Sequence, residues 1–179
     1  DVKCPTIFDY AKNAGYFTCS LSWPVSGKAD IDLNMPMIVP INYVGDNPGQ
    51  FLWGNATDEL MEKYYWKYGY HLMGESRSMD IYTMALATDI IEDYKQPDVM
   101  FVKMCDLDSV RHDLGVDTPA SKEMLRRHNQ ELGVLLESIR RYGDFENTNF
   151  VVLGDHGQTD LAKTMRFNLL LQQAGFQQV

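Results

Sequence analysis

Residues 149–160 read NFVVLGDHGQTD, a short apolar run that ends abruptly in a carboxylate followed at once by an imidazole. Phe150 to Leu153 is unbroken and β-prone, which predicts a strand buried on both faces of a parallel sheet, with Gly154 letting the backbone turn after it. Asp155 and His156 then leave the strand at its carboxyl end. In open α/β sheets ligands bind at that edge, so the pair reads either as half of a transition-metal site or, more plainly, as an Asp capping the next turn.

The same pattern occurs once more upstream. Pro97-Asp98 introduces Val99 to Cys105, apolar except for Lys103, and the run opens into Asp106, Leu107 and Asp108. Asp108 and His112 are spaced i, i+4, so within a helical turn they project to one side and can grip one ion together. Either pair alone is equally well explained by a surface hydrogen bond. Two such pairs, each leaving a buried strand, point to a site for two divalent ions. Ions held roughly 3.5 to 4 Å apart stabilise both the attacking and the leaving oxygen in phosphoryl transfer. Carboxylate plus imidazole suits zinc best, with manganese or iron as alternatives. Zinc takes three or four protein ligands, so two per ion is an incomplete set.

Around these pairs the chain alternates helices with strands. Thr6 with Asp9 three residues later predicts a capped short helix that stops at Gly15, and Tyr16 to Ser22 alternates apolar and polar residues as a strand ended by Trp23-Pro24. If the strands are parallel, Trp23 shares the edge of Asp155 and either lines a substrate pocket or simply packs there. Ser26 to Asn55 carries Pro36, Pro40 and Pro48 with aromatic Tyr43, Phe51 and Trp53 and no sustained period, so residues 26–76 read as a lid or insertion. Within that stretch, Thr57 to Tyr68 has helical spacing, its Tyr stripe reading as a packed face, and Gly69 and Gly74 bracket a break containing His71. Ser78 to Lys95 predicts a helix, as do Thr118 to Gly143 with Pro119 at the first position and Phe167 to Gln173 with Gly175 as its stop. His128 lies between Leu125 and Leu132 with no acidic partner evident, and reads as a packed or rim histidine. The alternation implies one α/β domain, a mostly parallel sheet with helices on both faces and both Asp/His pairs delivered to one edge.

Composition excludes several functions. A chain of 179 residues with 45% hydrophobic content can bury one sizeable core. Its net charge of −9 argues against a nucleic-acid duplex or an anionic membrane as partner, and a phosphate ester would need local positive charge, which metal ions supply. No run reaches the roughly 18 to 20 apolar residues that span a bilayer. Cys4, Cys19 and Cys105 have no paired spacing, which favours core or surface thiols in a reducing, cytoplasmic setting over a disulfide framework. The opening at Asp1 without Met, and the stop at Val179 where a new strand is due, read as an internal piece whose leader, if there is one, lies upstream.

The segments TIFDYAKNAGYFTCSLSWPV, DLDSVRHDLG, VVLGDHG and MRFNLLLQQAGF, in that order, resemble the type I phosphodiesterase and nucleotide pyrophosphatase family of the alkaline phosphatase superfamily. The pairing of D-x-x-x-H with a later D-H-G is the most specific part of the likeness, and Ser26 to Asp93 the least. The resemblance implies an alkaline phosphatase-like core truncated at both ends. It also implies two zinc ions, one held by Asp108 and His112 and the other by Asp155 and His156. Asp106 lacks the matching spacing, and Gln158 stands where the family often has Met. The family's nucleophilic Thr, a further Asp ligand upstream and a His ligand downstream find no counterpart, because Thr6 reads as a helix cap and Thr18 as a strand residue. The implied reaction is a two-step in-line displacement on a small phosphate ester or nucleotide, of which this chain alone is incapable. Two other readings stand beside it: a different hydrolase of the superfamily, for monoesters, phosphonates or sulfates, and a noncatalytic metal- or nucleotide-binding module. Sheet edges lacking flanking strands would favour self-association.

Overall fold

The computed structural model describes residues 2–38, 49–74 and 77–176. Helix α1 (Ile7–Asn13) leads into strand β1 (Thr18–Trp23), and β2 (Leu33–Pro36) follows after a short connection. Helical pieces α2 (Gly49–Leu52) and α3 (Asp58–Leu60), a π turn at Met61–Tyr65, α4 (Trp66–Tyr68) and a 3₁₀ turn at Gly69–Leu72 lead to α5 (Met79–Asp93). Strand β3 (Val99–Val102), α6 (Asp106–Leu114), α7 (Pro119–Tyr142), a 3₁₀ turn at Phe145–Asn147 and α8 (Phe167–Gln173) complete the order.

The sheet has the order β2-β1-β3 with both pairings parallel, as the alternation of elements predicts. Central β1 is buried on both faces, and its period of two separates them. Cys19 and Leu21 join Leu33 and Met35 of β2 in the main core beneath Tyr82, Leu86, Ala87 and Ile90 of α5. On the other face Phe101 pairs in register with Ser20, and Phe8 of α1 stacks on Phe101 at 4.8 Å. Helices therefore cover both faces of an α/β fold consistent with an alkaline phosphatase-like core.

Local sequence explains where α1, α5 and α7 start. Thr6 and Asp9 form the expected capping box, Ser78 caps α5, and Thr118 with Pro119 starts α7, which Gly143 ends. At the end of β1 the register slips between Leu21 and Trp23, with Ser22 at φ +54°, a bulge in left-handed backbone. The Ser22 hydroxyl lies 2.5 Å from that of Thr83 on α5, which fixes the bulge inside the core.

Three expectations meet a different structure. Leu33–Pro36, inside the stretch read as a lid or insertion, forms β2; residues 39–48, with Tyr43, and 75–76 lie outside the described residues. The continuous helix expected over Thr57–Tyr68 is broken by the π turn, although Tyr64 and Tyr65 are buried as the stripe predicts. Phe150 to Leu153 forms no strand: Val151 and Val152 are 80% exposed. A strand requires a neighbour's backbone groups to complete its hydrogen bonds, and among the described residues no strand pairs with this run.

Candidate metal centre

Strand β3 and helix α6 carry the first pair. Lys103 extends the ladder by donating its backbone N–H to Leu21, and the chain turns at Cys105 into α6. One helical turn then sets His112 Nε2 3.5 Å from Asp108 Oδ1. Asp108 is half-buried and His112 exposed. Asp106, the competing carboxylate, faces elsewhere: it accepts from the Ser78 hydroxyl at 2.5 Å, and Arg127 lies 4.0 Å away. Burial raises the Asp106 carboxyl above its ordinary range despite the hydrogen bond from Ser78.

The second pair arrives on the exposed segment after residue 150 and meets the first. His156 Nε2 lies 3.7 Å from Asp108 Oδ1 and 3.8 Å from Asp155 Oδ1. Gln158 donates its side-chain amide to the same Asp108 Oδ1 at 2.9 Å. Lys103 Nζ is 3.2 Å from Asp155 Oδ2, and this hydrogen bond holds the Asp155 carboxyl below the usual carboxylate range. The Lys103 ammonium is itself raised: burial opposes its charge, but Cys105, Asp155 and Asp108 outweigh it. Two segments separated by a long helix thus place three nitrogen atoms, from His112, His156 and Gln158, around one carboxylate oxygen.

Pair by pair, these side chains have the spacing of ligands to one divalent cation, although no three of the four bring their ligand atoms within 4.8 Å of one another, as Asp80, His128 and Glu131 do. Ligand atoms at about 2.0–2.2 Å from a tetrahedral zinc are roughly 3.3–3.6 Å apart, close to the separations about Asp108. Two imidazoles and two carboxylates are the borderline donors zinc accepts. Lys103 meanwhile supplies positive charge beside Asp155. Trp23, at the same edge, is half-buried and packs edge-on against Phe101 with ring centroids 4.8 Å apart.

A second polar cluster lies behind α6. His128 has an acidic partner after all: its Nε2 is 2.6 Å from Oδ2 of Asp80, a carboxylate with no exposed surface. The reading of His128 as a packing residue without acidic company is corrected by this contact, since Asp80 comes from α5 and nothing in local sequence brings the two together. Among the described residues, Asp80, His128 and Glu131 form a trio whose donor atoms all lie within 4.8 Å of one another. The only local hint was the i, i+3 spacing of His128 and Glu131.

No helix among the described residues is long and apolar enough to cross a membrane. No solved structure matches the chain. A sequence model of the family described as "Type I phosphodiesterase / nucleotide pyrophosphatase" matches residues 2–179, which takes in every element above and both Asp/His pairs. On that match the chain belongs to the type I phosphodiesterase/nucleotide pyrophosphatase family.

Proposed function

We propose that this chain provides the metal-binding edge of a hydrolase for phosphodiester or nucleotide pyrophosphate bonds, with Asp108, His112, Asp155 and His156 holding two divalent ions, zinc first and manganese second. The observation that carries this reading is the approach of both His112 and His156 to Asp108 Oδ1, at 3.5 and 3.7 Å. Family membership supports phosphoester hydrolysis as the reaction class.

Each residue has a role that follows from its chemistry. Asp108 supplies the shared carboxylate, and the Gln158 amide orients it. Lys103 holds the Asp155 carboxylate in place, and a metal ion binding Asp155 would compete with this ammonium for Oδ2. Metal ions bound here would polarise a phosphoryl oxygen and lower the pKa of an oxygen nucleophile. No residue of the chain is assigned as that nucleophile. With a net charge of −9, local cations are what would draw in a small anionic ester, and Trp23 is the aromatic at this edge available to a base or aryl group.

The test is hydrolysis of a chromogenic phosphodiester and the matching monoester by the complete gene product, with zinc and with chelator, beside His156→Ala. Diester turnover lost with chelator and in the variant supports the proposal. Preference for the monoester transfers the site to another chemistry of the superfamily. Absence of metal-dependent turnover of either ester rejects hydrolysis and leaves a binding module.

A further inference from the structure

We propose that Asp80 and His128 are positioning residues which together set the first turn of α6, and through it the placement of Asp108 and His112; the inference rests on the metal-centre reading above. Helix α6 begins at Cys105 with no side-chain cap of its own. Its leading amides are satisfied from another helix instead: Cys105 N–H donates to Asp80 Oδ1 at 2.5 Å, and Asp106 N–H to Asp80 Oδ2 at 3.0 Å. A carboxylate at a helix start is favoured by both the unpaired amides and the helix dipole.

Asp80 has no exposed surface, so it tolerates no idle hydrogen-bonding capacity. The His128 ring at 2.6 Å from Oδ2 completes its shell. Helix α7, which carries His128, packs against both α5 and α6, so three helices meet at this one carboxylate. A second strap runs beside it. Arg127 Nη2 donates to the Ser78 hydroxyl at 2.6 Å, and Ser78 donates to Asp106 Oδ2 at 2.5 Å. Sliding or rotating α6 would strip both straps at once. Asp108 lies in the next residues of that turn and His112 one turn further, so the clamp sets where their donor atoms stand.

The alternative occupant is a cation held by Asp80, His128 and Glu131. The 2.6 Å separation of Asp80 Oδ2 from His128 Nε2 is that of a direct hydrogen bond, and both Asp80 oxygens already accept backbone amides. Arg127 Nε also supplies a positive partner to Glu131 Oε1 at 2.9 Å. The convergence of the three donor atoms within 4.8 Å and Glu131 Oε2, buried without a hydrogen-bond partner, favour an ion, so metal content belongs in the test.

The experiment compares the complete gene product with His128→Ala and His128→Gln, whose amide can still donate to Asp80. The readouts are hydrogen exchange at the Cys105 and Asp106 amides, kcat and KM for the diester, the melting midpoint and zinc content. The expected result for His128→Ala is exchange at the two amides faster by about tenfold, with kcat down about 10- to 100-fold and KM little changed, as for other residues that orient metal ligands. His128→Gln should recover most of both. A lowered melting midpoint with wild-type kcat and unchanged amide exchange would overturn the proposal, and so would a zinc equivalent in the wild type beyond the two of the metal centre that is lost in His128→Ala. If the wild-type protein hydrolyses no diester, the function reading fails, while amide exchange still decides whether the clamp exists.

Discussion

Asp108 Oδ1 is the most crowded atom of the candidate centre, approached by two imidazoles and the Gln158 amide within 3.7 Å. The spacing of Asp108 with His112 was legible in sequence because a helix fixes it. The family resemblance assigned His156 with Asp155 to a second ion, and that His156 would reach the same oxygen was not legible, since no periodicity links residues so far apart. The Asp80–His128 contact was not legible at all, because it joins two helices through a buried polar pair. Two predictions belong to this scale. Burial pushes the Cys105 thiol up to about 11, whereas Cys4 is exposed, so at pH 8 iodoacetamide should label Cys4 first and Cys105 slowly, as peptide mass spectrometry would show. Comparable labelling rates would contradict this. The second concerns Asp9, whose pKa is lowered by hydrogen bonds from the Thr6 side chain and backbone. A lowered folded-state pKa adds stability that is complete above the unfolded value, about 3.9, and disappears as pH falls through the folded one. Denaturant midpoints of wild type and Asp9→Asn should therefore differ near neutral pH and converge by pH 2.

Among the elements, helix ends were the most readable because caps are local chemistry: Thr6 with Asp9, Ser78, and Thr118 with Pro119 all start helices where their side chains satisfy free amides. Strand β2 was hidden although Leu33 and Met35 alternate with Asn34 and Pro36, because it is only four residues long and ends on a proline inside a proline-rich stretch, which reads as loop. Phe150 to Leu153 has strand composition, but composition does not provide the neighbour a strand needs. The element that organises the core is α5, whose Leu86 is fully buried between the sheet and the surrounding helices. Leu86→Ala should cost about 2–5 kcal/mol of unfolding free energy, measurable by urea denaturation. A loss below about 1 kcal/mol would mean that α5 does not hold the core as described.

At the scale of the whole molecule, much of the chain after residue 150 leaves apolar side chains exposed. Val151, Val152 and Leu153 are 80%, 80% and 70% exposed, and Phe167 and Phe176 of the α8 segment are 66% and 82% exposed. Extended apolar backbone beside a sheet invites pairing with another chain. Sedimentation velocity should therefore show concentration-dependent self-association of this chain, reduced by Val152→Lys. A concentration-independent monomer would show that the region is tolerated in water.

Zinc titration against a chromophoric chelator decides whether Asp108 belongs to a metal site. The account predicts that His112→Ala and His156→Ala each weaken zinc binding by at least about tenfold, while His71→Ala, on the 3₁₀ turn outside the centre, leaves it unchanged. Equal zinc affinity in all four proteins would contradict it.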